Sequence, residues 1–165
     1  LRRRHTVGLQ IGYVGWSLFW GAWGVLLPQF RFDLALSDAA IGATLTGIGI
    51  GAIPAMLYGT GSIGRHPERA LRLLFVLFAV SVLALGFARG PISLLILLIP
   101  LGMTSGLLDV ALNVNVALAE RRGGLPLFQR MHGAFPLGVV IAAPLAGLAR
   151  DAGAGARRSS PASPA

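Results

Sequence analysis

Leu101-Gly-Met-Thr-Ser-Gly-Leu-Leu-Asp109-Val-Ala-Leu-Asn113-Val-Asn115-Val-Ala-Leu-Ala119, followed by Glu120-Arg121-Arg122, is the stretch on which the reading of this chain turns. It is long enough to cross a bilayer as a helix, for which about 20 apolar residues suffice. Yet it carries a carboxylate. A charged side chain at the bilayer centre costs about 2.5 kcal/mol or more. An acid in that setting normally faces a water-filled cavity or a polar partner. Asp109 therefore marks a transport pathway or a proton site. The plainer reading is a structural acid held by a polar side chain or a backbone amide.

The rest of the chain agrees with a membrane setting. Hydrophobic residues make up 55% of it and charged residues only 12%, with a mean hydropathy of +0.73. Soluble domains carry about 25% charged residues. Charge-free runs extend from Thr6 to Phe30, Ala39 to Gly64, Leu73 to Ala88, Gly90 to Leu108 and Met131 to Ala149. They predict five membrane helices over 8–30, 39–61, 70–88, 92–119 and 132–149, an all-α integral membrane fold. Strands of a membrane barrel alternate and run about ten residues; these runs are unbroken and longer. A cleaved secretory signal does not fit the first run, which is too long and has four more behind it.

Charge placement gives an orientation. All fourteen basic residues are Arg. Nine cluster at alternate turns: Arg2, Arg3 and Arg4; Arg65, Arg69 and Arg72; Arg121, Arg122 and Arg130. The intervening turns hold Arg31 and Arg89. The positive-inside rule then predicts a cytoplasmic N-terminus (residues 1–6) in a cell inner (plasma) membrane. The net charge of +8 is thus a topology signal, not a nucleic-acid footprint. The domain over 7–150 is expected to be followed by a disordered, low-complexity tail over 151–165, rich in Ala, Gly, Ser and Pro.

Small residues point to close helix packing. Gly47 and Gly51 form a GxxxG pair, as do Gly102 and Gly106, and such spacing lets helix backbones approach. Pro54, Pro100 and Pro144 fall inside spans, where each removes a backbone donor.

Read from the Arg89-Gly90-Pro91 turn to Glu120, the fourth span is about 42 Å long at roughly 1.5 Å per residue. Asp109 lies about 26 Å from its outer end and about 16 Å from its inner end. Asn113 follows at i+4 on the same face; Asn115 points toward a neighbouring helix. Thr104 and Ser105 add hydroxyls one turn earlier. Trp16, Trp20 and Trp23 recur at near-helical spacing on the first span. They read either as stacking surfaces for a solute or as packing and interface anchors. Gln10, on the same helix, reads equally as a cavity or a surface residue. His132 reads as a proton relay or an interfacial, hydrogen-bonded His. Glu120, Arg121 and Arg122 read as a cytoplasmic gate or a solvated helix end.

The segment from Gly106 to Arg122, with Phe128-Gln-Arg-Met-His132-Gly133-Ala-Phe-Pro-Leu137-Gly138, resembles the fourth and fifth helices of major facilitator superfamily transporters. It is most similar to the subgroup related to fucose permease, with its D-V-A-x-N … E-R … H-G-x-x-x-L-G pattern. Ala22-Trp23-Gly24-Val-Leu-Leu-Pro28 and Leu36-Ser37-Asp38-Ala-Ala-Ile41-Gly42 resemble the end of that subgroup's first helix and the start of its second. The resemblance covers about residues 7–150. It implies that Asp109 takes up protons or contacts solute while Asn113 helps orient solute; Asn115, Gln10 and Trp20 join them as site candidates from their own reading, not from the resemblance. It also implies that Arg65, Arg69, Glu120, Arg121 and Arg122 belong to a cytoplasmic gate, and that His132 and Gly133 form the helix-five motif. The loop between helices two and three departs from the superfamily's G-x-L-a-D-r-x-G-r-r. Gly61-Ser62-Ile63-Gly64-Arg65-His66-Pro67-Glu68-Arg69 has no acid in that usual place, while Arg65 and Arg69 keep the basic character. These transporters typically have twelve helices in two halves. Five helices imply an incomplete, apparently truncated N-terminal half.

Two function classes follow. One is a secondary active carrier of a small solute, a sugar or drug-like molecule, proton-coupled and working by alternating access. Its partners are the lipid bilayer, the solute, protons, and a missing C-terminal half or a second copy. The other is a non-transporting membrane remnant, or a helical module that assembles with another chain. Enzyme readings find no nucleophile elbow and no phosphate-binding loop after a strand. No cofactor, metal-ligand cluster or nucleic-acid partner is indicated, and with no cysteine there is no disulfide or thiolate site.

Overall fold

Unbroken apolar runs separated by Pro, Gly, Ser and Asp form helices joined by very short turns. The computed structural model describes residues 2–123 and 126–158. Helix α1 spans Arg2–Asp33, α2 Asp38–Arg65, α3 Pro67–Ala84, α4 Pro91–Gly123 and α5 Leu127–Arg158; a 3-10 turn, Leu85–Phe87, ends α3. No strand occurs among the described residues. The expected N-terminal segment is helical from Arg2, and α5 continues through 151–158; residues 159–165 of the expected tail lie outside the described residues.

The helix ends have local causes. Pro67 occupies the first turn of α3, where its missing N–H is harmless, and it disfavours helical geometry at His66, which ends α2. Ser37 caps α2: its Oγ accepts from Ala40 N at 3.1 Å. The end of α1 is a Schellman turn. Leu36 N donates to Arg31 O at 2.9 Å and Ala35 N to Phe32 O at 3.2 Å. Ala35 takes the left-handed position, with φ of 50°, where glycine is usual. Arg31 and Asp38 pair across this turn at 2.7 Å.

Helices α2, α3, α4 and α5 (to Arg150) are long and apolar enough to cross a membrane. The expected first span is the exception on that measure. Helix α1 has the length, but three Trp, several Gly and Gln10 lower its hydropathy. It still packs as part of the bundle, mainly on α5. Helix α4 is the centre. Half of its most apolar stretch is buried inside the bundle, against 17–22% for α2, α3 and α5. Leu94, Leu98, Leu101, Leu108 and Leu112 are fully buried along it. An apolar residue on nearly every face is what a central helix requires.

Two parallel pairs carry most of the packing, α2 on α4 and α1 on α5, with α3 antiparallel against α4. The two GxxxG pairs meet each other. A Cβ on Gly51 would strike the Ile99 carbonyl, and one on Gly102 the Ile48 carbonyl. A Cβ on Gly47 would lie 2.8 Å from Leu95 O, so the backbones touch. The α1–α5 pair uses the same device. Gly21 sits under Val139 O and Ala142, and Ser17 fills the space over Gly138.

Candidate functional site

Asp109 is half-buried on α4. Its i+4 neighbour Asn113 donates Nδ2 to Asp109 Oδ1 at 2.9 Å. The Tyr13 hydroxyl of α1 in turn donates to Asn113 Oδ1. A carboxylate, an amide and a phenol therefore form one directional chain across two helices. One turn away, the indole N–H groups of Trp16 and Trp20 both donate to Ser105 Oγ, at 3.0 and 3.2 Å. Trp16 lies against Phe135 of α5 with ring centroids 4.8 Å apart.

Trp16, Trp20, Ser105, Asp109 and Phe135 line a cleft of about 500 Å³ between α1, α2, α4 and α5, with Tyr13 and Asn113 beside it. Asp109 and Ser105 are its polar side chains, while Ile48 and Ala52 of α2 and Val139 of α5 close its sides. The volume falls within the range of ligand sites, about 300–1,000 Å³. The arrangement arises from periodicity. Tyr13, Trp16 and Trp20 stand at i, i+3 and i+7 on α1, and Ser105, Asp109 and Asn113 at i, i+4 and i+8 on α4, so two stripes face each other.

The structure brings together Asp109, Asn113, Trp16 and Trp20 from the sequence candidates and adds Tyr13 and Phe135. The signal for Tyr13 was its place on the tryptophan face. Asn115 is elsewhere: it is 1% exposed and donates to Pro67 O at 2.9 Å and Ala111 O at 2.8 Å, tying α4 to the start of α3. Thr104 faces α3, 3.4 Å from Ser81 Oγ. Trp23 packs with Phe19 and Phe30. Gln10 is exposed and does not line the cleft. His132 is exposed, stacked on Phe128 at 6.2 Å, and within electrostatic reach of Asp109. Gly133 has open space where a Cβ would stand.

The gate candidates gather at one end of the bundle. Arg65 ends α2, and Arg69 is exposed on the first turn of α3. Glu120 Oε2 accepts from Phe128 N at 2.7 Å, so it caps α5 from the end of α4. Arg121 lines a second cleft of about 400 Å³ with Glu120 and Phe128. Arg122 is exposed.

This is a multi-pass, all-α membrane protein with an acid-bearing cleft. An uncharacterised MFS-type transporter of Yersinia pestis is 28% identical to it over 138 residues, 83% of this chain and 36% of the relative. An uncharacterised transporter of Sinorhizobium fredii is 28% identical over 137 residues, 82% of this chain and 36% of the relative. The chain thus spans about a third of the length of the curated relatives it matches. No protein-family model matches, and no solved structure does. Both relatives are named as transporters, and the one from Yersinia pestis as MFS-type.

Proposed function

We propose that this chain supplies five helices of one half of a proton-coupled secondary carrier for a small organic solute. It would sit in the plasma membrane with the N-terminus cytoplasmic and work by alternating access. Within the superfamily we place it in the group related to fucose permease, on Asp109, Asn113, Glu120, Arg121, His132 and Gly133. The observation that carries the reading is the hydrogen-bonded chain Tyr13–Asn113–Asp109 beside a cleft with aromatic walls.

The mechanism follows from electrostatics. An ionised Asp109 is tolerable while water fills the cleft. Closing the cleft strips that water and makes a lone carboxylate costly. A proton on Asp109 removes the cost and permits the closed state, and release on the other side resets it. Asn113 holds the ionised form by donating to it, and Tyr13 fixes which way that amide points. Arg65, Arg69, Glu120, Arg121 and Arg122 lie where a cytoplasmic gate would close.

The test is solute uptake into vesicles from cells expressing the chain together with the rest of the carrier, with and without an acid-outside pH gradient, for a panel of hexoses and aromatic amines. Asp109→Asn should remove the gradient-dependent component while membrane insertion is kept. Uptake that stays gradient-dependent in Asp109→Asn would eliminate the coupling role.

A further inference from the structure

We propose that the cleft takes an organic monocation with an apolar ring, with Asp109 as its counter-charge and Trp16, Trp20 and Phe135 as its aromatic bed. The proposal rests on the reading of this cleft as the solute site, and it names the ligand class.

The argument begins with what the lining offers. A hydroxyl oxygen has two acceptor lone pairs, and both indole N–H groups donate to Ser105 Oγ. The acceptor capacity of Ser105 is therefore spent within the protein, and so are the indole donors, leaving the Ser105 O–H as a single donor. What the tryptophans offer a ligand is π surface. Trp16 and Phe135, 4.8 Å apart, extend that surface from α1 to α5. Ile48, Ala52 and Val139 are apolar. Asp109 remains as the charged group and the acceptor able to meet a ligand, with one oxygen engaged by Asn113.

A polyhydroxylated solute fits this lining poorly, because each hydroxyl left without a partner loses its hydration for nothing. A cation with an apolar shell fits on each count. Aromatic rings attract it through their quadrupoles, the carboxylate neutralises it, and the apolar walls cover its rings. Among the described residues, no Arg lines the cleft to compete for Asp109. The titratable groups near the carboxylate are Tyr13 of α1 and His132 of α5; α2 presents Ile48 and Ala52. One carboxylate serves both cation and proton, so each displaces the other.

Benzyltrimethylammonium is a suitable probe because its charge is independent of pH. Its binding to the detergent-purified full chain can be followed by tryptophan fluorescence and calorimetry, with neopentylbenzene as the uncharged isostere. We expect saturable binding that weakens as pH falls. We also expect at least about tenfold weaker binding in Asp109→Asn, with the pH dependence lost, and weaker binding in Trp20→Leu. Thermal unfolding of each variant shows that it is folded. Equal binding of the uncharged isostere, unchanged affinity in folded Asp109→Asn, displacement by a hexose, or no saturable binding would overturn the proposal. If the cation fails to bind while proton-coupled uptake of another solute still depends on Asp109, the ligand class falls and the carrier reading stands. If the cation binds and no uptake depends on Asp109, the carrier reading falls and the site stands.

Discussion

Asn113 and Asn115 are two residues apart on α4, and the helix gives them opposite work. Asn113 lies beside the cleft and holds Asp109 at 2.9 Å. Asn115 is buried against α3, where its amide satisfies Pro67 O and Ala111 O. Removing Asn115 leaves the Pro67 carbonyl without this donor inside the bundle, and such losses cost about 1–2 kcal/mol. Asn115→Ala should therefore lower the midpoint of thermal unfolding in detergent clearly. Asn113→Ala, at a half-buried position beside the cleft, should lower it less and should alter the pH dependence of uptake instead. Equal midpoints for the two variants would contradict this division. The i+4 spacing made the Asp109–Asn113 pair legible in the sequence, because it needs only helix geometry. The partners of Tyr13 and Asn115 were not legible: one lies 100 residues away and the other 48. Local periodicity is silent about contacts at that range.

Among the elements, glycine decides how near two helices come. The GxxxG spacings in α2 and α4 were visible in the sequence, and so were the helices themselves, because charge-free runs of that length leave little choice. That these two helices meet each other was not visible, since a small-residue pair does not name its partner. Gly102 shows the consequence. A Cβ there would press on the Ile48 carbonyl and lie 2.8 Å from Ile48 Cα. Backbone cannot swing aside as a side-chain tip can, so α2 and α4 must part. Gly102→Ala should destabilise the bundle by about 1–3 kcal/mol, the usual scale of overpacking. Gly49, on α2, has nothing within 4 Å of its Cβ position. Gly49→Ala should be neutral or stabilising by up to about 1 kcal/mol through helix propensity. Thermal unfolding of the two variants side by side checks the packing, and a similar loss in both would argue against this α2–α4 contact.

At the scale of the whole molecule, the order of helices turns charge into topology. Short turns make successive helices run in opposite senses, so the α2–α3 and α4–α5 turns share one end of the bundle. The Asn115–Pro67 bond joins the same two regions. Arg65, Arg69 and Arg72 at the first turn and Arg121, Arg122 and Arg130 at the second therefore sit together, while Arg31 and Arg89 lie at the far end. This asymmetry is what retains a loop in the cytoplasm during insertion. The chain contains no cysteine, so a single introduced thiol reports one position cleanly. Ala39, exposed at the start of α2, marks the Arg-poor end, and Gly64, exposed near the end of α2, marks the Arg-rich end. In intact cells a membrane-impermeant maleimide should label Ala39→Cys, and it should reach Gly64→Cys only after the membrane is permeabilised. The opposite pattern would place the Arg-rich turns outside. It would also reverse the side on which the gate candidates Arg65, Arg69, Glu120, Arg121 and Arg122 lie, and with it the direction of the proposed proton path to Asp109.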